Sequence, residues 1–542
     1  MIIDLLRYRK YEVYNVLGMG GFGIVYLVYS HKTKSVFAMK TFRDEYLKDL
    51  QTIERFKKEA QVWIDLGKHP YLVQAYFVDD IIGRLFIAME YIAPDEQGLN
   101  SLEGYLRHSP PDLAQSLRWA IQFCHGMEYA YSKGIRAHRD IKPANIMIGQ
   151  DKAVKISDFG LAGVVSTTKS SSDVKLSATR NAIGEAYQTM KGTAFGTPPY
   201  MPPEQFENAA GCDERSDIYS FGIVLYQMAS GNKFPYDLNI FRNISEEEMM
   251  QAWYILHIKA PVIKLNSPLF PIIFRCLEKA PIDRYFTFKE LRRDLEKLLK
   301  KQTGELIKPP DQKELEEWEW CNKGVSLGRL GKRQEAIVCY DKAIEINPVY
   351  ANAWVSKADA LNRLDKLQEA IVCYDKAIEI NPRYAYAWYN KGDALYRLDK
   401  LQEAIACYDK AIEIDPVYYA FVWFEKGFLL SRLGKPQEAI ACYSKALEIE
   451  PEDFEIWSEK GDALRDLGEY QEAIACYSKA LEINPKYPSA WYGKALVEDI
   501  MGKRIDAAYS YKKFIELAPT EYAEYEEEIE YARQRVREIE RE

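Results

Sequence analysis

The sequence predicts a multidomain chain in which an α+β domain is followed by an all-α solenoid. Two observations carry that prediction. Short β-branched and aromatic runs at 25–29, 37–40 and 85–92 are followed by longer helical patterns, which is the signature of a mixed fold. Tryptophans at 320, 354, 388, 423, 457 and 491 recur at 34 residues, with one interval of 35, which is the signature of a helical repeat. The formal charge of −9 is also unevenly placed. Residues 1–300 carry 38 Lys+Arg and 35 Asp+Glu, or +3, while residues 301–542 carry 34 and 46, or −12.

The α+β half opens on Gly18-Met19-Gly20-Gly21-Phe22-Gly23-Ile24-Val25. Because Val25–Tyr29 is strand-like, this loop joins strand to strand, whereas a dinucleotide-binding loop of similar spacing would open a helix. Glycines there let the backbone lie close over phosphates. Phe37-Ala38-Met39-Lys40 is a strand-like run ending in a lysine. From Thr52 to Leu66, Ile53, Phe56, Ala60 and Trp63 fall at helical spacing, with Glu59 just off the stripe and Glu54 a turn earlier. Leu85–Ile92 is a strand that runs into a turn at Ala93-Pro94.

The densest chemistry lies in His138-Arg139-Asp140-Ile141-Lys142-Pro143-Ala144-Asn145, with Asp158-Phe159-Gly160 after the short strand Ala153–Ser157. Asp140 can accept a proton from an attacking hydroxyl. Lys142 can neutralise a phosphoryl group in flight, and Asn145 and Asp158 offer hard oxygen ligands to Mg²⁺. In this order and spacing the segment resembles the catalytic and magnesium loops of the protein kinases. The resemblance implies an α+β bilobal protein kinase fold that uses ATP and Mg²⁺. It makes Asp140, Lys142 and Lys40 catalytic, and Asn145 and Asp158 the metal ligands. Nucleotide binding would fall to Leu17, Gly18, Met19, Gly20, Gly21, Phe22, Gly23, Ile24, Val25, Ala38, Lys40, Glu59, Glu90, Ile92, Asn145 and Asp158. Within that set Lys40 grips phosphates and is held by Glu59, with Glu54 as the alternative partner, Met89 is the gatekeeper, and backbone groups near Glu90 and Ile92 meet adenine.

Ser166 to Thr193 is polar and reads as a flexible loop. It ends at Gly196-Thr197-Pro198-Pro199-Tyr200-Met201-Pro202-Pro203-Glu204, which resembles the close of a kinase activation segment, with Pro202 where the family has alanine. From Asp158 to Glu204 is 47 residues, longer than the family usually carries. The resemblance implies an ion pair between Glu204 and Arg284, and a helix-start role for Asp217 in holding the catalytic-loop backbone. Lys142 with Thr197 is the serine/threonine pattern, so the implied substrates are protein Ser/Thr hydroxyls. Arg139 implies self-phosphorylation between Ser166 and Thr193.

Lys300–Glu316, with Pro309-Pro310, reads as a linker. In each repeat an alanine stands sixteen residues after the tryptophan (336, 370, 404, 439, 473, 507) and a tyrosine at twenty, with a proline closing the unit. This is the tetratricopeptide pattern. The predicted organisation is therefore a kinase domain at 1–300 (core 11–299), a linker at 301–316, six repeats and a capping helix at 522–542. The repeats are 317–350, 351–384, 385–419, 420–453, 454–487 and 488–521. Cysteines 339, 373, 407, 442 and 476 precede the repeat tyrosines and read as apolar filler. With no CxxC or His-Cys cluster, zinc is not expected. By resemblance, the first helix of each unit lines a concave face, giving a groove for a peptide or protein ligand. Its positions hold Trp318, Tyr386, Phe421, Tyr389, Phe424 and Tyr492, with aspartates (359, 393, 462) on one side and Arg329, Arg363, Arg397 and Arg432 on the other.

The acidic second half argues against nucleic acid as a partner. Neither a signal peptide nor an apolar run long enough to span a bilayer is visible, so a cytoplasmic protein with no membrane partner is expected. Two alternatives stand beside an active kinase. One is a pseudokinase scaffold, disfavoured because Lys40, Asp140, Asn145 and Asp158 are all present. The other is a small-molecule phosphotransferase, disfavoured by Lys142 and the Gly196–Glu204 segment.

Overall fold

The computed structural model describes residues 11–19, 23–159, 163–164, 197–241, 246–308, 310–311, 314–416, 420–518 and 526–541. They group into two compact units, Met1–Cys339 and Tyr340–Glu542. The loop expected between Ser166 and Thr193 lies outside the described residues, as do Gly20, Gly21, Phe22, Gly160 and the turn residues 417–419.

The first unit begins with strands β1 (Tyr11–Met19), β2 (Gly23–Ser30), β3 (Ser35–Phe42), β4 (Ala75–Ile81) and β5 (Arg84–Met89). They pair antiparallel in the order β1-β2-β3-β5-β4, which leaves β4 at an edge. Period-2 alternation puts Tyr26, Val28, Phe37, Met39, Phe86 and Ala88 into one apolar layer, against which Ile24 also packs. Helix α1 (Leu50–Leu66) interrupts the sheet between β3 and β4. It starts at Asp49, whose carboxylate accepts the Gln51 N–H, and stops at Gly67, where φ is +64°.

The larger part of this unit is helical. It contains α2 (Leu102–His108), α3 (Leu113–Ser132), the short strands β6 (Ile135–Ala137), β7 (Ile146–Ile148), β8 (Val154–Ile156) and β9 (Gly163–Val164), and α4 (Pro203–Glu207). After these come α5 (Glu214–Ser230), α6 (Glu246–Lys259), α7 (Phe270–Cys276) and α8 (Phe288–Thr303). Phe123 of α3 stacks on Phe221 of α5 at 4.1 Å, and Phe288 of α8 meets Phe123 edge-on at 5.9 Å. That aromatic trio ties three helices into one core beneath β6–β8. Helix α9 (Glu317–Arg329) also belongs to this unit, and α10 (Arg333–Ile346) runs across its boundary.

The second unit is an array of helices: α11 (Ala351–Asn362), α12 (Leu367–Ile380), α13 (Ala385–Arg397), α14 (Leu401–Ile414), α15 (Ala420–Arg432), α16 (Pro436–Ile449), α17 (Phe454–Leu467), α18 (Tyr470–Ile483), α19 (Pro488–Ile500) and α20 (Arg504–Leu517). The chain ends in α21 (Glu526–Ile539), whose Ile529, Ala532 and Val536 bury against Tyr511 and Phe514 of α20. Repeat tyrosines 374, 408, 443, 477 and 511 are fully buried. Glycine makes the sites of Tyr408, Tyr443 and Tyr477: a Cβ on Gly461 would lie 2.7 Å from the Tyr477 ring and one on Gly493 2.6 Å from it. Each junction also carries a lysine over its tryptophan, such as Lys391 at 5.7 Å from the Trp388 ring centroid. Three of these lysines also reach an aspartate of the preceding helix pair: Lys357–Asp341 and Lys391–Asp375 at 2.6 Å, and Lys426–Asp409 at 2.5 Å.

The cysteines are buried and free, as their packing positions require. Among the described residues no helix is long and apolar enough to cross a membrane, and no cluster of three His, Cys, Asp or Glu could hold a metal.

Candidate active site

A cleft of about 950 Å³ opens between the sheet and β6–β8. Its roof is Leu17, Gly18, Met19, Gly23, Val25, Ala38 and Lys40, its back Met89 to Ile92, and its floor Asp140, Lys142, Asn145, Met147 and Asp158. Gly23 belongs there because a Cβ would stand 3.3 Å from the Thr41 carbonyl. Ile24 does not line the cleft. It is one residue from Val25 on the same strand, so the pleat turns it to the opposite face, against the sheet's apolar core. Any part of Ile24 in the expected nucleotide site is thus left to its main chain.

Lys40, on β3, meets two carboxylates from distant parts of the chain. Its Nζ lies 2.6 Å from Glu59 Oε1 on α1 and 2.7 Å from Asp158 Oδ1. Glu54 instead pairs with Lys57 on the outer face of α1. Lys40 has its pKa raised: burial alone would lower it, but Asp158 and Glu59 more than offset that cost. The Lys40 charge holds Asp158 down, at about 2, against the opposing effect of burial. Burial raises Glu59, with Lys40 pulling the other way. Asp158 adopts φ +62°, a left-handed conformation unusual for a non-glycine residue, and the ion pair with Lys40 helps hold it there. Phe159 next to it is buried, edge-on to Trp63 of α1 at 5.3 Å.

Asp140 sits in a compact polar cluster. Lys142 Nζ donates to Asp140 Oδ2 at 2.7 Å and to Thr197 Oγ1 at 2.8 Å, and Thr197 Oγ1 donates to Asp140 Oδ1 at 2.7 Å. Asn145 Nδ2 donates to the Asp140 carbonyl at 2.8 Å and to its Oδ2 at 3.1 Å. The loop that presents these groups passes through Arg139 at φ +68°. It is held from below by Asp217 in the first turns of α5. Asp217 Oδ2 accepts the His138 N–H and the Tyr131 hydroxyl, both at 2.5 Å, and Oδ1 accepts the Arg139 N–H at 2.9 Å. Burial pushes the Asp217 carboxyl up, and these donors pull it down. Arg284 is buried and forks onto Glu204 at 2.7 and 3.0 Å, which fixes the end of the Thr197–Glu204 stretch.

At the back of the cleft the Glu90 side chain turns away, to Lys155 at 2.9 Å, so only its main chain faces inward. Its N–H is used by the Gln74 carbonyl at 2.8 Å, and the Ile92 carbonyl accepts from Asn100 at 2.9 Å. Asn100, Met147 and Ser157 also line the cleft and carried no distinctive sequence signal, since each stands alone in a polar or apolar context.

A sequence model described as "Protein kinase domain" matches residues 11–294, over half of the chain. The chain belongs to the protein kinase family. Tetratricopeptide repeat models match its second half, at residues 318–350, 385–418 and 420–453 among others. The kinase domain is 30% identical over 298 residues to a probable serine/threonine-protein kinase of Clostridium acetobutylicum, covering 54% of this chain and 40% of that protein. It is 31% identical over 294 residues to a probable serine/threonine-protein kinase of Clostridium perfringens, covering 54% and 38%. It is 28% identical over 300 residues to the serine/threonine-protein kinase PrkC of Bacillus subtilis, covering 54% and 41%. The similarity thus spans about two fifths of the length of these relatives.

In the second unit, Tyr386 and Phe421 are exposed on the face the sequence assigned to a groove. Tyr389 and Phe424 are half-buried among repeat side chains, with Tyr389 5.8 Å from Tyr408 and Phe424 6.0 Å from Tyr443. The expected arginine row is corrected in part. Arg397 Nη2 lies 2.6 Å from Asp365, and Arg432 3.8 Å from Asp399, so these guanidiniums tie to turn residues of the preceding pair. Trp318 and Arg329 are turned to the first unit's sheet.

Proposed function

We propose that this chain transfers the γ-phosphoryl group of ATP to serine or threonine hydroxyls of proteins. The observation that carries the reading is Lys40 held between Glu59 and Asp158 at 2.6 and 2.7 Å, above a floor bearing Asp140 and Lys142. In the reading, Lys40 grips nucleotide phosphates from a position its two carboxylates have already fixed. Asp140 takes the proton of the attacking hydroxyl, and Lys142 stabilises charge on the group in transfer. A threonine hydroxyl, Thr197, already lies 2.7 Å from Asp140 and 2.8 Å from Lys142, which supports a hydroxyl acceptor at that place.

Mg²⁺ fits the donor set. Asn145 spends its amide nitrogen on Asp140, leaving its amide oxygen for a hard cation, and Asp158 spends only Oδ1 on Lys40. Two protein oxygens suit an ion that keeps waters and phosphate oxygens as its remaining ligands. When bound, the ion would supply charge neutralisation at the phosphates.

We further propose that the repeats bind a protein segment through the face bearing Tyr386 and Phe421. A reducing, cytoplasmic setting suits thiols placed at a repeated packing position. The deciding experiment incubates the full chain and Asp140→Asn with Mg-ATP and a protein mixture and maps phosphosites by mass spectrometry. Ser/Thr phosphorylation that disappears in Asp140→Asn is expected. Equal signal from both proteins, or none from either, overturns the reading.

A further inference from the structure

Helix α9 matches the opening of a repeat, since the tetratricopeptide match begins at residue 318, yet it is packed on the sheet of the kinase domain. Every class of side chain on its inner face has a partner there. Glu319 is buried and accepts Lys68 Nζ at 2.8 Å and Gln74 Nε2 at 3.2 Å, from the segment joining α1 to β4. Burial alone would raise the Glu319 carboxyl, but donors from Lys68, the Glu316 N–H and Gln74 bring it below the ordinary value. Ser326 is 1% exposed and accepts the Val78 N–H at 2.9 Å, a donor that edge strand β4 would otherwise leave open. Arg329 reaches Asp79 at 2.8 Å. A small cavity of about 30 Å³ between Ile64 and Gly67 of the α1 end, β4, and Trp318 and Glu319 is too small to loosen the contact.

The same α1 carries Glu59 at its centre and ends at Gly67, one residue before Lys68. The Tyr129 hydroxyl donates to the Leu66 carbonyl at 2.8 Å, so the α1 end is gripped from two sides. We infer that α9 is a brace in cis: by holding the α1–β4 junction it keeps Glu59 against Lys40. Glu319, Ser326 and Arg329 are thus positioning residues for phosphoryl transfer. The catalytic unit extends to α9 rather than closing at α8. This inference rests on the proposed phosphotransfer, but its structural core is readable without it.

The test uses the full chain and two readouts, steady-state kinetics and hydrogen exchange. Ser326→Arg puts a bulky cation where there is no room and should free α9. Expected results are faster exchange in residues 50–66 and 75–81 as well as 317–329, unchanged exchange in 351–517, and kcat reduced at least 10-fold. Faster exchange confined to 317–329, with kcat unchanged, overturns the brace. If Ser326→Arg fails to fold, Asp79→Arg and Arg329→Asp serve instead. Each alone should speed exchange in 50–66, and the double variant should restore it. A double variant no better than either single also overturns the inference. If the wild type shows no phosphotransfer, the functional reading fails, while exchange in 50–66 still decides the brace.

Discussion

Asp217→Asn removes one atom's worth of chemistry from under the catalytic loop, and its cost can be worked from three distances. The carboxylate accepts from His138 N and Tyr131 Oη at 2.5 Å and from Arg139 N at 2.9 Å. An asparagine can keep its oxygen toward the first two donors, but its NH₂ then faces the Arg139 N–H, donor against donor. One buried hydrogen bond to a charged acceptor is lost and one N–H is stranded, a destabilisation of about 2 kcal/mol. With a urea m-value near 3 kcal/mol/M this lowers the midpoint of the kinase-domain transition by roughly 0.7 M. The displaced N–H belongs to Arg139, the residue at φ +68° that aims Asp140, so misplacement should also cost kcat, roughly 10²-fold. Urea titration beside steady-state kinetics checks both. A lowered midpoint with unchanged kcat would refute the claim that Asp217 acts through loop geometry, and an unchanged midpoint would refute the hydrogen-bond accounting.

Lys40→Met should lower phosphoryl transfer about 10³-fold or more while leaving the fold intact, with turnover compared against circular dichroism. Gly461→Ala drives a Cβ to 2.7 Å from the Tyr477 ring and should destabilise the repeat unit by about 1–3 kcal/mol, read in its thermal transition. Glu459 is pushed up to about 7 from 4.5 by burial and by Asp462 beside it. Its folded value exceeds its unfolded one, so repeat stability should fall as pH rises from about 4.5 to about 7 and level off above, and Glu459→Gln should flatten that slope in melts taken across pH. The buried Arg139 Nε has no partner among the described residues. Changing every Ser and Thr from 166 to 193 to Ala should therefore lower activity, and wild-type turnover would refute a role for phosphate there.

Polar motifs with fixed spacing were the legible part. Lys40, Asp140, Asn145 and Asp158 carry identity and order that few other chemistries require, and tryptophan, alanine and tyrosine at a 34-residue period announce a packed array. Side-chain direction was less legible, because a motif residue and its neighbour on a strand face opposite ways, as Val25 and Ile24 do. Arg397 reads as a groove charge by position, but the turn aspartate it meets becomes a neighbour only after two helices fold back. Least legible was α9. Its repeat pattern is ordinary, and its contacts with Lys68, Val78 and Asp79 join residues about 250 positions apart, which no local periodicity reports.

The lysine–aspartate ties between helix pairs stop partway along the array. Asp341, Asp375 and Asp409 each take a lysine from the next pair, but the corresponding positions are Ser444 and Ser478 in the pairs that follow. The junctions before Lys426 are therefore cross-linked by a lysine–aspartate pair, and the next two lack it, until Arg535 of the capping helix meets Asp499 at 2.8 Å. Ionic strength then acts as a directional dial. At low salt the tied segment is the stiffer one, and at about 1 M, where the screening length falls to about 3 Å, the two segments approach parity. An array built of one repeated motif thereby acquires a firm stretch and a softer one, and the order in which its pairs come apart depends on the ions around it.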